Sequence, residues 1–190
     1  MLDVGTGPGF FAIILAEMGF RVTAVDYTAS MLEEAGRNAG ALADKIDFRQ
    51  MNAEKLTFAD HSFDVLVTRN VTWNLHDPET AYGHWTRVLA PGGALVYAVP
   101  GPRHLFGLKQ VLYDTPYENP CRPVEYPGFV REAERAVQGT IRLEGGAIQD
   151  LFAMTPYYWK TPKEGAERLA KLEVLQTEIE FRFVIYRKQG

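Results

Sequence analysis

The sequence predicts an α/β protein with a doubly wound, Rossmann-like, mostly parallel seven-stranded sheet, an antiparallel last strand and a lid insertion. Two observations carry this prediction. Up to Pro100, short apolar stretches alternate with stretches of helical periodicity, which is the pattern of βαβ units and a parallel sheet. A glycine-rich turn, Gly5-Thr6-Gly7-Pro8-Gly9, joins the first strand to the first helix. Such a turn lets the backbone approach a ligand closely, because glycine has no Cβ.

Composition limits the class of protein. The chain has 190 residues, enough for one domain over residues 1–190, and its 46% hydrophobic and 23% charged residues are typical of a globular protein. The formal net charge of −4 argues against a nucleic-acid partner, since phosphate binding needs a basic surface. Every apolar stretch is too short to span a membrane.

Cysteine and histidine usage limits the chemistry. Cys121 is the only cysteine, which excludes an intramolecular disulfide and a cysteine metal cage and favours a cytoplasmic location. The four histidines, His61, His76, His84 and His104, show no metal-ligand spacing. We therefore expect no metal site.

The first half of the chain carries clear signals for its elements. Gly19 fits a left-handed cap after the first helix, and Asp77-Pro78 fits an N-cap followed by proline at the first helical position. Thr28 or Ser30 can cap the second helix, and Ser30 with Glu33 fits a capping box. The predicted strands cover 1–4, 21–25, 46–51, 63–68 and 94–99, and the first and third helices cover 8–18 and 77 to the stop at Pro91-Gly92-Gly93.

The pattern changes after Pro100. Residues 101–135 are rich in proline, tyrosine and charge, and we interpret them as a lid or acceptor-binding insertion within the single domain. Beyond Pro100, the predicted helices cover 104–113, 148–152 and 163–172, and the predicted strands cover 137–144 and 177–187.

Polar residues follow the predicted parallel strands, at the edge of the sheet where ligands of open α/β proteins bind. Asp26 ends the second strand, where a carboxylate can accept hydrogen bonds from both hydroxyls of a ribose. Tyr27 and Met31 follow it and could lie against adenine. Asn52-Ala53-Glu54 leaves the third strand, where Asn52 can accept from an adenine amino group, and Arg69-Asn70 ends the fourth strand beside the reacting end of the cofactor.

The spacing of the glycine turn separates two cofactor classes. Nicotinamide dehydrogenases usually carry G-x-G-x-x-G, which places a pyrophosphate on the helix N-terminus. Here the spacing is Gly5-x-Gly7-x-Gly9. S-adenosylmethionine has no phosphate and does not require the dehydrogenase spacing, so this cofactor is favoured over NAD.

The ordered set of motifs resembles the class I S-adenosylmethionine-dependent methyltransferases, in particular the small-molecule group that includes quinone-biosynthesis C-methyltransferases. The resemblance covers about residues 1 to 100. It is carried by Leu2-Asp3-Val4-Gly5-Thr6-Gly7-Pro8-Gly9, Val25-Asp26, Asn52-Ala53-Glu54-Lys55-Leu56, Phe58, Ser62-Phe63-Asp64 and Arg87-Val88-Leu89-Ala90-Pro91-Gly92-Gly93.

The resemblance implies methyl transfer to a small-molecule acceptor by in-line displacement, with release of S-adenosylhomocysteine. It also implies that Asp3 and Gly5 to Gly9 hold the methionine part, Asp26 the ribose and Asn52-Ala53 the adenine. The family often has Asp where this chain has Asn52. Relatives usually carry a full first strand and an N-terminal helix over the cofactor. This sequence begins almost inside the first strand, so we expect an open site with weaker cofactor binding, or one that a second subunit covers in a homodimer.

The catalytic residues are unknown at this level. His76, His104, Glu54 and Tyr113 are candidates for a general base because of their expected positions near strand ends or the lid. An apolar acceptor pocket could be lined by aromatic side chains. These are Trp73, Tyr157, Tyr158 and Trp159.

Three alternative functions stay open. The segment Met154-Thr155-Pro156-Tyr157-Tyr158-Trp159-Lys160 resembles part of bacterial large-subunit rRNA guanine-N1 methyltransferases, although this chain lacks the cysteines of their zinc module. A non-catalytic S-adenosylmethionine-binding protein would keep the same cofactor motifs. A nicotinamide-dependent oxidoreductase is the third, and the glycine spacing disfavours it.

Overall fold

The computed structural model describes residues 1–69, 71–121 and 124–189, with the side chain of Trp73 also outside the description. Its strands are β1 (Leu2–Val4), β2 (Val22–Asp26), β3 (Ile46–Gln50), β4 (Phe63–Arg69), β5 (Leu89–Pro100), β6 (Phe129–Glu144) and β7 (Val174–Lys188). Its α-helices are α1 (Phe10–Glu17), α2 (Ala29–Ala39), α3 (Pro78–Val88), α4 (Phe106–Leu112), α5 (Gly146–Ala153) and α6 (Lys163–Ala170). Short 3-10 helices cover Gly40–Lys45, Thr72–Asn74 and Pro156–Trp159.

The strands form one seven-stranded sheet in the order β3-β2-β1-β4-β5-β7-β6. Strands β1 to β5 pair in parallel. Strand β7 runs antiparallel to β6, because Arg187 lies beside Glu132 while Glu180 lies beside Gln138. The predicted Rossmann-like sheet with an antiparallel last strand is confirmed.

The order of the sheet positions the site. The inner strand β1 is fully buried and pairs with β2 on one side and β4 on the other. The chain order along the sheet reverses at β1, and in open α/β sheets ligands bind where such a reversal meets the carboxyl ends of the strands. The ends of β1, β2, β3 and β4 therefore mark the expected site.

The chain divides into two compact units. The first combines Met1–Val99 with Val124–Arg135 and the C-terminal stretch from Phe183. Its core packs the buried Trp85 of α3 against β1, β4 and β5, and α1 and α2 bury a second cluster against β2 and β3. The second combines the segment that begins at Pro100 with Ala136–Arg182, and its core joins α4, α5 and α6.

Several helix ends agree with the prediction. Asp77 is the N-cap of α3, its carboxylate accepts the Thr80 N–H at 3.0 Å, and Pro78 is the first helical residue. Gly19 adopts φ 87 after α1, as a left-handed cap requires. The capping box is wrong, because α2 begins at Ala29 and Ser30 lies inside it. Thr28 takes the N-cap position, without a side-chain hydrogen bond to the helix.

Two predicted boundaries are also wrong. Helix α3 ends at Val88 rather than at Pro91-Gly92-Gly93, because Leu89 already pairs with Phe63 and the strand register then shifts before Ala94. Strand β6 begins at Phe129 rather than at Val137. Its first part is charged and exposed, typical of an edge strand, and therefore lacks the apolar alternation that predicts a strand.

No helix among the described residues combines the length and the apolar character needed to cross a bilayer.

Candidate active site

The first unit contains a cleft of about 620 Å³ at the carboxyl ends of β1 to β4. Its described lining combines backbone, polar and aromatic groups, and it includes most of the predicted cofactor residues. The lining residues are Asp3, Gly5, Thr6, Gly7, Pro8, Phe10, Phe11, Asp26, Tyr27, Thr28, Met51, Asn52, Ala53, Glu54, Arg69, Val71, Asn74, Leu75 and His76.

The glycine turn is fastened to the end of β2. The N–H groups of Gly5 and Thr6 both donate to the Val25 carbonyl, at 2.9 and 3.0 Å. Gly5 and Gly7 have φ values of 71 and 54, which favour glycine. A Cβ on Gly5 would lie 2.1 Å from Val71 Cγ2, whereas a Cβ on Gly7 would meet nothing within 4 Å. The two glycines thus serve different needs, close packing at Gly5 and open space at Gly7.

Asp26 organises the turn from the neighbouring strand. Its Oδ2 accepts the Gly7 N–H and its Oδ1 accepts the Thr28 N–H, both at 2.9 Å. Each carboxylate oxygen has a second lone pair, so both can still accept from a ligand. Asp26 lies in the cleft lining where the sequence predicted the ribose site.

Asp3 is a buried carboxyl group in the same cleft. Only 2% of its surface is exposed, and the Thr6 hydroxyl donates to its Oδ2 at 2.7 Å. Burial raises the pKa of Asp3 from 3.8 to about 6, because removal from water disfavours the charged form. A cationic ligand group beside Asp3 would favour the ionised form.

The loop after β3 is held by its own side chains and by Trp85 of α3. Asn52 Oδ1 accepts the Glu54 N–H at 2.8 Å, and the Ala53 carbonyl accepts from Trp85 Nε1 at 2.8 Å. Glu54 Oε1 accepts the N–H groups of His76 and Asp77. Glu54, one of the predicted general bases, thus connects this loop with the start of α3.

Arg87 is a supporting residue whose role the sequence reasoning missed. Its Nη1 donates to the Phe58 carbonyl and to Asp60 Oδ1, and its Nη2 donates to the Leu56 carbonyl, each at 2.7 Å. The hydrogen bond from Arg87 lowers the pKa of Asp60. Arg87 belongs to the motif quoted for the family resemblance, but a motif gives no sign of which carbonyls its side chain will meet.

Arg69 packs over the ring of Phe10 in the cleft. The Arg69 guanidinium carbon lies 5.0 Å from the Phe10 ring centroid, which is a cation–π geometry. Arg69 is half-buried, and burial lowers the pKa of its guanidinium while Asp3 raises it. The sequence reasoning did not predict a functional role for aromatic residues on the first turn of α1, such as Phe10, because apolar residues in a helix predict core packing.

Two predicted cofactor residues lie elsewhere. A Cβ on Gly9 would lie 3.0 Å from the Ala35 Cβ, so Gly9 allows α1 to pack closely on α2. Met31 is 44% exposed on α2 and is absent from the described lining. Asn70 and the side chain of Trp73, predicted for cofactor and acceptor binding, lie outside the described residues.

The remaining candidates belong to the second unit. His104 Nδ1 accepts the Glu180 N–H, and its ring lies 4.5 Å from that of Phe181. Tyr113 packs edge-on against Tyr157, and burial raises the pKa of Tyr157 to about 12. These contacts give the groups structural partners within their own unit.

The aromatic surface of the second unit is exposed at one end. Trp159 is 83% exposed, and its ring lies 5.0 Å from that of Tyr158, which in turn packs on Phe152.

Within the described ranges, no group of three or more His, Cys, Asp or Glu side chains is arranged to hold a metal ion.

A doubly wound sheet with an antiparallel final pair, a glycine turn, one carboxylate on β1 and another at the last residue of β2 together define a Rossmann-like methyltransferase site. The chain belongs to the methyltransferase domain family, which its residues 2–97 match. The cofactor of this class is S-adenosylmethionine. The residues present fit it, because Asp26 keeps acceptor capacity for a ribose and the buried Asp3 suits an ammonium group.

Curated relatives agree with the family. The chain is 38% identical over 117 residues to a demethylmenaquinone methyltransferase of Thermus thermophilus, covering 60% of this chain and 53% of that protein. It is 30% identical over 168 residues to a ubiquinone biosynthesis O-methyltransferase of Paramagnetospirillum magneticum, covering 82% of this chain and 66% of that protein. The chain thus spans about half to two thirds of these relatives.

Solved structures support the fold. The YcgJ protein of Bacillus subtilis superimposes with a TM-score of 0.59 at 15% identity, covering 100% of this chain and 91% of that one. The MccD protein superimposes with a TM-score of 0.61 at 18% identity, covering 99% of this chain and 89% of that one.

Proposed function

We propose that this protein transfers the methyl group of S-adenosylmethionine to a small-molecule acceptor and releases S-adenosylhomocysteine. The observation that carries the proposal is the cleft at the ends of β1 to β4, in which the carboxylates of Asp3 and Asp26 stand beside the glycine turn. The names of the curated relatives make quinone-like acceptors the first class to test.

Each part of the cofactor has a proposed set of partners. Asp26 receives the ribose hydroxyls, and Gly7 leaves open space where a ligand can approach the backbone. Asn52 and the backbone N–H of Ala53 form hydrogen bonds with the edge of the adenine. The Ala53 N–H is assigned rather than its carbonyl because the carbonyl already accepts from Trp85. Asp3 faces the ammonium group of the methionine part.

The cofactor supplies an activated methyl group on a positively charged sulfur. Methyl transfer would form a bond from the methyl carbon to the acceptor nucleophile as the S–CH₃ bond breaks. S-adenosylhomocysteine would leave as a neutral thioether, and the proton displaced from the acceptor would pass to a base or to water. The protein's contribution is to hold the acceptor in line, which supplies on the order of 7–11 kcal/mol in favourable systems. Of the candidate bases, His76 and Glu54 lie in the described lining, and Glu54 already binds two backbone N–H groups.

The proposal is tested in two steps. Calorimetry and thermal shift with S-adenosylhomocysteine and NADH separate a methyltransferase from an oxidoreductase, and a ligand at about 100 times its Kd stabilises the fold by roughly 2.7 kcal/mol. Release of S-adenosylhomocysteine with demethylated quinones then separates a catalyst from a protein that only binds the cofactor. Stabilisation by NADH alone contradicts the proposal.

A nucleic-acid acceptor is the second candidate. It is favoured by the exposed rings of Tyr158 and Trp159 next to Lys160, because single-stranded bases stack on such surfaces. Binding of a short RNA hairpin that weakens with salt, and that Trp159→Ala abolishes, would support it. Methylation of quinones without any RNA binding would reject it.

Assembly, location and domain organisation belong to the same proposal. We expect a cytoplasmic enzyme of one methyltransferase domain, with 101–135 as an acceptor-binding segment and a homodimer as its assembly. The single Cys121 supports the location. Light scattering measures the oligomeric state, and exchange of residues 101–121 for those of a relative tests whether acceptor preference follows this segment.

A further inference from the structure

The second unit contains a smaller cleft of about 270 Å³, lined by residues of β6, of β7 and of the turn that follows β5. This volume is just below the roughly 300–1,000 Å³ of pockets for drug-sized ligands, so the cleft suits a small chemical group. The described lining residues are Arg103, Gln138, Gly139, Thr140, Glu178, Ile179 and Glu180. Most of these residues carry polar side chains, which favours a polar ligand.

Glu180 is a buried carboxylate in the wall of this cleft. Only 8% of its surface is exposed. Its Oε2 accepts the Arg103 N–H at 2.7 Å, and its Oε1 accepts from Gln138 Nε2 at 3.1 Å. Both donors are neutral groups, and within the described part of the chain Glu180 forms no salt bridge. A buried charge without an opposite charge is unfavourable, so a cationic ligand group would stabilise the carboxylate.

The guanidinium of Arg103 is engaged with other carboxylates. Its Nη2 donates to Glu178 Oε1 at 2.8 Å, its Nη1 donates to Glu118 Oε1 at 3.3 Å, and its carbon lies 4.3 Å from the Phe106 ring centroid. The other oxygen of Glu178 accepts the Gly107 N–H at 2.9 Å. Two carboxylates and one guanidinium line the cleft, which leaves an excess of negative charge. The cleft therefore favours a cation over an anion.

The backbone holds Glu180 in position. The Gly101 N–H donates to the Glu180 carbonyl at 2.9 Å, and the Glu180 N–H donates to His104 Nδ1 at 3.2 Å. A Cβ on Gly101 would clash with Glu180 Cγ, so this side chain passes where only glycine leaves room. A ligand would thus meet a carboxylate that is already in position, which lowers the cost of binding.

The remaining acceptor positions of Glu180 indicate the shape of the ligand group. A carboxylate oxygen can accept two hydrogen bonds, and each oxygen of Glu180 accepts one from the protein. One position on each oxygen is left, which matches a planar group with two parallel N–H donors. We propose that this cleft binds a small ligand through a guanidinium or amidine group, which Glu180 holds by paired hydrogen bonds. The inference does not depend on the proposed function.

The test uses benzamidine as the probe, with two analogues that each lack one of its properties. Benzylamine keeps the positive charge without the planar pair of donors, and benzamide keeps the planar group without the charge. Calorimetry is run on the wild type, Glu180→Gln and two controls. Glu118→Gln removes a carboxylate that also pairs with Arg103 but is absent from the described lining. Asp26→Ala alters the cleft of the first unit, which also contains carboxylates.

We expect the wild type to bind benzamidine at least about 10-fold more tightly than benzylamine or benzamide, as for one hydrogen bond to a charged group. Glu180→Gln should weaken benzamidine about 10- to 100-fold. Glutamine keeps an acceptor for the Arg103 N–H but loses the charge and one acceptor oxygen. Glu118→Gln and Asp26→Ala should bind benzamidine within about twofold of the wild type.

Four results would overturn the inference. The first is a wild type that binds none of the three compounds, or binds an analogue as tightly as benzamidine; this comparison stands even if Glu180→Gln does not fold. The second is wild-type affinity in Glu180→Gln, which would place the probe elsewhere. The third is a loss of binding in Asp26→Ala, which would place it in the cleft of the first unit. The fourth is an equal loss in Glu118→Gln and Glu180→Gln, which would indicate an effect of overall charge.

Discussion

Asp26 Oδ2 accepts the N–H of Gly7 at 2.9 Å, so the residue that ends β2 also holds the glycine turn that follows β1. Its other oxygen accepts the Thr28 N–H at the same distance. One carboxylate thus fixes two backbone segments that line the cleft. A ribose bound to Asp26 would meet a turn whose shape is set before the ligand arrives.

Asp26→Ala should weaken S-adenosylhomocysteine by at least about 10-fold, because hydrogen bonds to a charged group are worth about 1.5–3 kcal/mol each. The affinity of Asp26→Asn should lie between those of the wild type and Asp26→Ala, since its one amide oxygen can accept only some of the hydrogen bonds that the two carboxylate oxygens accept. Calorimetry measures both. Asp47→Ala, which removes an exposed carboxylate paired with Arg49 on β3, is the matched control and should bind as the wild type does. Equal affinity of the wild type and Asp26→Ala would reject the ribose assignment.

Asp3→Asn should stabilise the free protein at about pH 8 and weaken its cofactor binding. With a native pKa near 6 against an ordinary 3.8, the folded protein keeps a proton that the unfolded chain releases between these values. The free energy of unfolding therefore falls as the pH rises from about 4 to about 6. Above about pH 6 it stays roughly 3 kcal/mol lower than at about pH 4. Urea unfolding at about pH 4 and about pH 8 measures this loss. The same loss in wild type and Asp3→Asn would show that another group is responsible.

The affinity for S-adenosylhomocysteine should rise as the pH increases through about 6, because the ligand ammonium favours ionised Asp3. Asp3→Asn should give a much flatter profile over this range. Calorimetry across the range measures the effect. Asp26 and Arg69 are the charged neighbours of Asp3, so a rise that persists in Asp3→Asn would move the titration to another group of the site.

Gly5→Ala should destabilise the protein more than Gly7→Ala. Both residues have positive φ, which costs roughly 1–2 kcal/mol for a residue with a Cβ. Only Gly5 adds a clash, with Val71 Cγ2, and overpacking costs about 1–3 kcal/mol more. Chemical denaturation of both variants measures the difference, and Val71→Ala should rescue part of the loss in Gly5→Ala alone. Equal losses would mean that the Val71 contact is easily relieved.

Glu54→Gln should keep most of the turnover, and Glu54→Ala should weaken cofactor binding. Glu54 accepts the N–H groups of His76 and Asp77, and a glutamine oxygen can replace that acceptor while it cannot act as a general base. Steady-state kinetics and calorimetry separate the two effects. His76→Ala serves as the companion variant, because the His76 side chain is 96% exposed. A fall of about 100-fold in kcat for Glu54→Gln would instead indicate that Glu54 acts as the general base.

The sequence predicted the parts of the fold that local chemistry determines. Alternating apolar stretches gave the parallel strands, and Asp77-Pro78 gave the start of α3. The start of β5 was missed because Leu89 pairs with Phe63, which is distant in the chain. Side-chain partners were missed for the same reason. Glu54 connects to the start of α3, and Arg87 supports the 56–60 loop. Both roles depend on contacts that only the folded chain makes.

Every described residue that lines the cleft lies between Asp3 and His76. A single contiguous part of the coding sequence therefore specifies the whole described lining. A chimera joined at Pro100 would keep all of these lining residues. The residues beyond the junction would come from a relative, including Val124–Arg135 and the stretch from Phe183, which belong to the same unit. Under the proposed function, such chimeras test whether acceptor preference follows the part of the chain beyond Pro100 while the cofactor residues stay unchanged.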